Sequence, residues 1–241
     1  MKLTPKDAAT PEIVALIPVR AGSKRIPNKN LRKLGGITLL ERKIIQLQSA
    51  GIEKIFVGSD SQELLNLATK AGAIPIQRKP EACNEELSTA NEMIRDFSSR
   101  VTGDIAIWAH CTNPFLYAEH YRSAIGKFLQ EHRNPHSQYD SLITVYRVQG
   151  HMWTESHKPA NYNPYGDTHP LAGSLPPVYF QDGGIFIQTL EMMRKNSYFF
   201  GGQPYLLEID PYNSLDINSP RDLEVANALT EYMDRAHEFR S

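Results

Sequence analysis

The sequence predicts an α/β protein built on a mostly parallel β-sheet with helices on both faces. Short apolar runs alternate with amphipathic segments of helical spacing along most of the chain. This alternation is typical of strand–helix–strand units. Polar or glycine-containing stretches follow several of the runs, where the ligands of parallel sheets bind. The 241 residues suffice for one such domain with an insert.

The first half of the chain contains four predicted strands separated by three helices. The strands are short runs of apolar residues, and the helices place apolar residues on one side at spacings of three or four. Thr38 is positioned to cap the first helix, and Gly51 to end it. In order, the predictions are strand 13–17, helix 39–50, strand 54–58, helix 62–71, strand 73–77, helix 88–100 and strand 104–109.

The second half is interrupted by an irregular segment at 148–178. Five prolines and several aromatic side chains, Trp153 and Tyr162 among them, indicate an insert that serves function or an interface. The last helix has a well-specified start, with Ser219 as N-cap, Pro220 at its first position and Asp222 in its first turn. The predicted elements are helix 118–132, strand 141–147, strand 179–187, edge strand 205–208 and a terminal helix from Ser219.

Composition limits the classes of function. The formal net charge of −1 gives no reason to expect a nucleic-acid partner. No apolar stretch approaches the length of a membrane span. Residues 1–12 are polar, so we expect a flexible lead-in rather than a secretory signal. Cys83 and Cys111 fit neither a disulfide framework nor a metal array, which favours reduced thiols in the cytoplasm.

A basic loop follows the first strand. Six cationic side chains fall between Glu12 and Glu41 with no acidic residue among them. Small residues let backbone N–H groups approach an anion that Lys and Arg neutralise, so the loop suits a polyphosphate. A solvated surface loop is the alternative on charge alone. The six residues are Arg20, Lys24, Arg25, Lys29, Arg32 and Lys33.

The order of residues in this loop carries a family resemblance. Residues 18–30 read Pro-Val-Arg-Ala-Gly-Ser-Lys-Arg-Ile-Pro-Asn-Lys-Asn. They resemble the signature P-A-R-x-G-S-K-x-I-P-x-K-N of the CMP-sugar synthetases, cytidylyltransferases that activate sialic acids and related 2-keto-3-deoxy sugar acids. The resemblance implies one Rossmann-like nucleotidyltransferase domain of the glycosyltransferase-A type over 13–241. It also implies that the insert at 148–178 shapes the sugar pocket and a homodimer contact.

The resemblance assigns nucleotide-binding roles. Arg20 and Lys29 are expected to act in catalysis by stabilising the phosphates, and Asn30 to contact cytosine or ribose. In the family an Arg-Pro pair holds the base, and either Arg78 or Lys79 takes that place here. The residues implied to bind nucleotide are Arg20, Ala21, Gly22, Ser23, Lys24, Lys29, Asn30, Arg78, Lys79 and His110.

The acceptor side resembles the family at two further segments. Residues 110–115 correspond to Gln-Pro-Thr-Ser-Pro-Leu, with His110 at the glutamine; we expect it to bind and not to transfer protons. Residues 182–187 resemble Asn-Gly-Ala-Ile-Tyr-Ile, with Asp182 for asparagine. Arg147 is a candidate partner for the sugar carboxylate. The residues predicted to bind the acceptor are Thr112, Asn113, Arg147, Gln181 and Asp182.

A metal site is implied just before the terminal helix. The family carries Asp-Ile-Asp there, and its first Asp ligates a divalent cation. This chain has Asp216-Ile217-Asn218, so Asp216 and Asn218 are the predicted Mg²⁺ ligands. The alternative for Asp216 is a loop residue that caps the next helix.

The implied reaction is attack of a 2-keto-3-deoxy sugar acid, of the sialic acid type, on CTP. It gives a CMP-sugar and pyrophosphate, for surface polysaccharide or glycoconjugate biosynthesis. Two alternatives remain open: a nucleotidyltransferase for another nucleotide or sugar, and a catalytically weakened CTP-binding protein. The departures from the family at His110, Asp182 and Asn218 motivate the second alternative.

Overall fold

The computed structural model describes residues 10–84 and 86–239, and within them nine strands and six α-helices. Most of the predicted lead-in, residues 1–9, lies outside the described residues. The elements are β1 Ile13–Pro18, β2 Lys33–Leu34, β3 Ile37–Thr38, α1 Leu39–Ser49, β4 Lys54–Ser59, α2 Gln62–Lys70, β5 Ile74–Gln77, α3 Ala90–Ser98, β6 Ile105–Ala109, α4 Ala118–Arg133, β7 Ser141–Val148, β8 Val178–Thr189, α5 Leu190–Asn196, β9 Pro204–Glu208 and α6 Pro220–Ala236.

The main sheet has seven strands in the order β5-β4-β1-β6-β8-β7-β9. β5, β4, β1 and β6 are mutually parallel, and β9 is parallel to β7. β8 runs antiparallel to both of its neighbours. The predicted mostly parallel α/β sheet is therefore confirmed. Because β1 and β6 are adjacent and parallel, their carboxyl ends open onto the same edge of the sheet.

Helices cover both faces of the sheet, as predicted. Along β1 the side chains alternate between two cores. Val14 and Leu16 pack in the core that includes residues of α3 and α5. Ala15 and Ile17 pack in the larger core with residues of α1, α2, α4 and α6. Within the described ranges every helix is too short or too polar to cross a membrane.

The helix starts follow the predicted capping residues. The Thr38 hydroxyl accepts the Glu41 N–H at the start of α1, and Ser219 accepts the Asp222 N–H in α6. Helix α5 was not predicted. It begins directly where β8 ends, and seven residues are too few to give a clear helical period.

The insert between β7 and β8 is irregular but internally bonded. Among the described residues, its regular features are a 3₁₀ turn at Ala172–Ser174 and an isolated β-bridge between Trp153 and Pro159. The Asn161 amide donates to the Gly150 carbonyl at 2.8 Å. Hydrogen bonds of this kind take the place of regular elements in the insert.

A buried ion pair attaches α6 to α1. Both terminal nitrogens of Arg42 donate to the Asp234 carboxylate at 2.6 Å, and the Tyr117 hydroxyl donates to the same carboxylate at 2.8 Å. The Arg42 side chain is 1% exposed and that of Asp234 20%. Two well-formed bonds to an enclosed carboxylate make this pair a principal contact between the two helices.

We expect Arg42→Ala to lower the free energy of unfolding by about 3–5 kcal/mol, because it leaves Asp234 enclosed without its cation. Urea unfolding followed by circular dichroism measures the change. The matched control is Arg235→Ala, which removes an exposed ion pair with Glu231. An unchanged midpoint is expected there. Equal midpoint shifts in the two variants would contradict the structural role of Arg42.

Candidate functional site

A cavity of about 620 Å³ lies at the carboxyl ends of β1 and β6. The loop after β1 supplies a cationic wall, and α3, β6 and the segment after α5 supply a largely apolar wall. The loop before α6 contributes Asp216 and Asn218. The cationic wall contains Arg20, Ser23, Lys24, Arg25, Lys29 and Asn30.

A side-chain hydrogen bond and a left-handed glycine shape the loop after β1. The Ala21 N–H donates to the Asp60 carboxylate at 2.9 Å, which ties the loop to the residue after β4. Gly22 has φ +72°, a conformation that favours glycine, and a Cβ there would meet no atom within 4 Å. An anion can therefore approach the backbone at this point. Lys24 forms an exposed ion pair with Glu86.

Lys29 joins the basic loop to the loop before α6. Its Nζ donates to the Ile217 carbonyl at 3.0 Å. Burial lowers the pKa of Lys29, and the nearby Asp216 carboxylate offsets part of that effect. The ammonium group thus lies between the two segments that the sequence assigned to phosphate and metal.

Asp216 and Asn218 are hydrogen-bonded to each other, and their remaining oxygens differ in whether they have a partner. The Asn218 amide donates to Asp216 Oδ2, and Arg25 donates to the Asn218 oxygen at 2.9 Å. A guanidinium only donates and a carboxylate only accepts, so these partners fix the amide orientation. The other oxygen, Asp216 Oδ1, is buried with no hydrogen-bond partner in the described part of the chain.

The unpartnered oxygen of Asp216 fits a hard divalent cation. Mg²⁺ binds through one or two carboxylates and completes its shell with phosphate oxygens and water. The Asn218 oxygen accepts from Arg25, so among the described residues Asp216 Oδ1 is the oxygen of the predicted ligand pair that lacks a hydrogen-bond partner.

His110 lies in the cavity wall with both ring nitrogens bonded. Its Nδ1–H donates to the Gly183 carbonyl at 2.7 Å, and Nε2 accepts the Trp108 N–H at 3.0 Å. Burial lowers the pKa of His110, which favours the neutral ring. Both ring nitrogens are therefore engaged within the protein, and neither is left for proton transfer.

Of the two alternatives for the family arginine, Arg78 reaches the cavity and Lys79 does not. The Arg78 guanidinium is nevertheless occupied. It donates to Asp96 at 2.8 Å and to the Ala82 carbonyl at 2.7 Å. Arg78 therefore forms part of the wall, and Lys79 is exposed outside it.

Four of the five residues predicted to bind the acceptor lie outside this cavity, while Thr112 lines it. Asn113 and Asp182 are buried. The Asn113 amide donates to the Asp182 carbonyl at 2.9 Å, and the Thr144 hydroxyl donates to the Asp182 carboxylate at 2.6 Å. The other two, Arg147 and Gln181, are exposed on β7 and β8. Because successive side chains point to opposite faces of a strand, neighbouring residues of β8 such as Gln181 and Asp182 cannot both face the cavity.

Three of the lining residues that were not predicted as site residues are Arg25, Trp108 and Phe199. Arg25 occupies a variable position of the loop motif, and its charge was the only signal of a role. Trp108 and Phe199 form the apolar wall, with ring centroids 5.4 Å apart. Phe199 follows the unpredicted helix α5, so no local pattern placed it here.

The chain is similar to known proteins over most of its length. Residues 14–170, more than half of the chain, match the sequence model of a family described as cytidylyltransferase. The chain belongs to the cytidylyltransferase family. The resemblance of the loop motif to the CMP-sugar synthetases is thereby confirmed at family level.

Two relatives show the kinds of enzyme that the chain resembles in sequence. The chain is 28% identical over 232 residues to N-acylneuraminate cytidylyltransferase A of Danio rerio, covering 92% of this chain and 52% of the relative. It is 29% identical over 238 residues to the CMP-N,N'-diacetyllegionaminic acid synthase of Legionella pneumophila, covering 93% and 98%. The chain thus spans about half the length of the N-acylneuraminate cytidylyltransferases that it matches.

A solved structure shows the same fold. The CMP:2-keto-3-deoxy-manno-octonic acid synthetase complexed with CTP superposes with a TM-score of 0.64 at 14% identity, covering 92% of this chain and 99% of that one. At that identity the likeness concerns the fold alone. The predicted nucleotidyltransferase fold is confirmed.

Proposed function

We propose that this cytidylyltransferase couples CTP to a 2-keto-3-deoxy sugar acid and releases pyrophosphate. The observation that carries the proposal is the convergence of Arg20, Lys29 and Asp216 on one cavity. Two distant segments supply these groups, in a chain whose loop motif is that of CMP-sugar synthetases. A cationic wall beside a carboxylate is the arrangement that phosphoryl-group chemistry needs.

In the proposed reaction, the anomeric hydroxyl oxygen of the acid forms a bond to the α-phosphorus of CTP. The bond from that phosphorus to the bridging oxygen of pyrophosphate breaks, and the hydroxyl proton is released to water. Arg20 and Lys29 neutralise the charge that grows on the phosphate oxygens, and the backbone around Gly22 and Ser23 cradles the chain of phosphates. Positioning and charge stabilisation account for most of the acceleration.

Mg²⁺ is the proposed cofactor, with Asp216 as its protein ligand. When bound, the ion supplies positive charge at the phosphate and sugar oxygens. The unpartnered Oδ1 supports this assignment. Asn218 is left out of the proposed ligand set because its oxygen accepts from Arg25.

The apolar wall suits a nucleotide base. Trp108, Phe199 and Met93 offer flat or adaptable surfaces to a planar ring. Calorimetric titration with CTP, UTP, GTP and ATP in the presence of Mg²⁺ tests the choice of base. We expect CTP to bind at least about 10-fold more tightly than the others, and equal affinity for UTP would contradict the cytidylyl assignment.

A nine-carbon acid is the proposed acceptor. The names of the Danio rerio and Legionella pneumophila relatives specify acylneuraminic and legionaminic acids. A cytoplasmic location is proposed with it. Cys83 and Cys111 are both buried and unpaired, as expected of a reducing compartment.

A homodimer through the insert and the adjoining strand is also proposed. Trp153 is 57% exposed and Phe180 is 58% exposed, and Val178 and Tyr179 beside Phe180 are more than 40% exposed. Aromatic residues at this density are typical of subunit interfaces.

Phe180→Glu is expected to convert the dimer into a monomer, because it places a charge in an apolar contact. Sedimentation velocity at several concentrations measures the change. Tyr232→Glu, on the exposed side of α6, is the control and leaves the sedimentation coefficient unchanged. A wild-type protein that sediments as a monomer would refute the dimer.

A further inference from the structure

Arg25 is a cation of the cavity wall with no role in the proposal so far. Its side chain is exposed, lines the cavity and donates to the Asn218 oxygen at 2.9 Å. Asn218 in turn donates to Asp216. This chain of hydrogen bonds links the guanidinium to Asp216 through Asn218, and Lys29 donates to the carbonyl of the intervening Ile217.

The partner of Arg25 is neutral, and this decides what the guanidinium can do. An aspartate at 218 would pair with Arg25 and offset its charge. The amide oxygen of Asn218 positions the guanidinium by a hydrogen bond and adds no negative charge. Position 218 therefore leaves the charge of Arg25 available to an anion in the cavity.

The neighbouring carboxylate of Asp222 is engaged elsewhere. It accepts the N–H groups of Asn218 at 2.9 Å and Ser219 at 2.7 Å at the start of α6. The backbone amides at the start of α6 therefore hold this charge. No hydrogen bond between Asp222 and Arg25 occurs among the described residues.

We propose that Arg25 is a further triphosphate-binding residue of this site and that Asn218 orients it without neutralising it. The inference rests on the proposed function and adds a phosphate contact that needs no metal. Asn218 then contributes to phosphate binding by orienting Arg25, and Asp216 alone is the protein ligand of the cation. A planar guanidinium matches two phosphate oxygens at once.

The test is CTP binding in EDTA, measured by titration calorimetry on the full chain. We expect Arg25→Gln to weaken CTP binding by about 10- to 100-fold, as for the loss of a charge-assisted hydrogen bond. Arg25→Lys should weaken it less. Binding of cytidine, which has no phosphate, should be unchanged. The matched control is Lys33→Gln, which removes an exposed charge of the same segment outside the cavity and should leave CTP affinity as it is.

A second variant tests the role of Asn218. Asn218→Asp should lower CTP affinity in EDTA, because the new carboxylate pairs with Arg25. Wild-type affinity in this variant would overturn the role given to Asn218. Wild-type affinity in Arg25→Gln, an equal loss for cytidine, or no CTP binding by the wild type in EDTA would each overturn the role given to Arg25.

The outcomes separate this inference from the proposed function. Circular dichroism of each variant shows whether it is folded, and Arg25→Lys retains the charge if Arg25→Gln does not fold. The expected binding results, together with no pyrophosphate release from any sugar acid, would contradict the proposed reaction and leave Arg25 as a phosphate contact.

Discussion

Arg20→Ala is expected to reduce turnover by about 100- to 1,000-fold while the protein remains folded. Arg20 lines the cavity directly after β1 and is proposed to meet charge that develops on the phosphates. Such an interaction is stronger in the transition state than in the bound substrate, so the loss should appear mainly in kcat. Pyrophosphate release at saturating CTP measures it.

The control for this variant is Lys33→Ala. It removes an equal charge from the same basic segment, at an exposed position outside the cavity. We expect its kcat to stay near that of the wild type. Near-normal turnover in Arg20→Ala would rule out the role proposed for Arg20, whatever the control shows.

Asp216→Asn is expected to reduce Mg²⁺-dependent turnover by about 100- to 1,000-fold. The change keeps the shape of the side chain and removes its charge. Asn218 offers no replacement, because its oxygen accepts from Arg25. Electron paramagnetic resonance with Mn²⁺ and CTP provides a reading of metal binding that does not depend on turnover.

Asp210→Asn is the matched control for Asp216→Asn. Asp210 lies in the same loop between β9 and α6, is exposed, and does not line the cavity. Its substitution should leave both the Mn²⁺ signal and the rate unchanged. An Asp216→Asn enzyme that keeps its metal dependence would show that the cation is held elsewhere.

The sequence was most informative where structure is local. Apolar spacing and capping residues placed most helices and strands, since these depend on neighbouring residues. The predicted residues Arg20, Ser23, Lys24 and Lys29 line one cavity, because they come from one short segment. The direction of β8 depends on pairing with distant strands and had no such signal.

The acceptor side was less readable because long-range contacts decide it. The Asn113 amide bonds to Asp182, 69 residues away, and this draws both into the interior. The guanidinium of Arg78 is taken up by Asp96 on α3. A motif indicates which residue types are present, whereas tertiary hydrogen bonds decide which of them face a ligand.

The most direct measurement is pyrophosphate release with CTP and Mg²⁺ across a panel of 2-keto-3-deoxy sugar acids. The panel holds sialic acid, its ketodeoxynonulosonic relative, legionaminic and pseudaminic acids, and an eight-carbon acid. We expect release with at least one nine-carbon acid, and none when the acid is omitted or UTP replaces CTP. Silence across the panel while CTP still binds would contradict the proposed reaction and favour a CTP-binding protein with a weakened site.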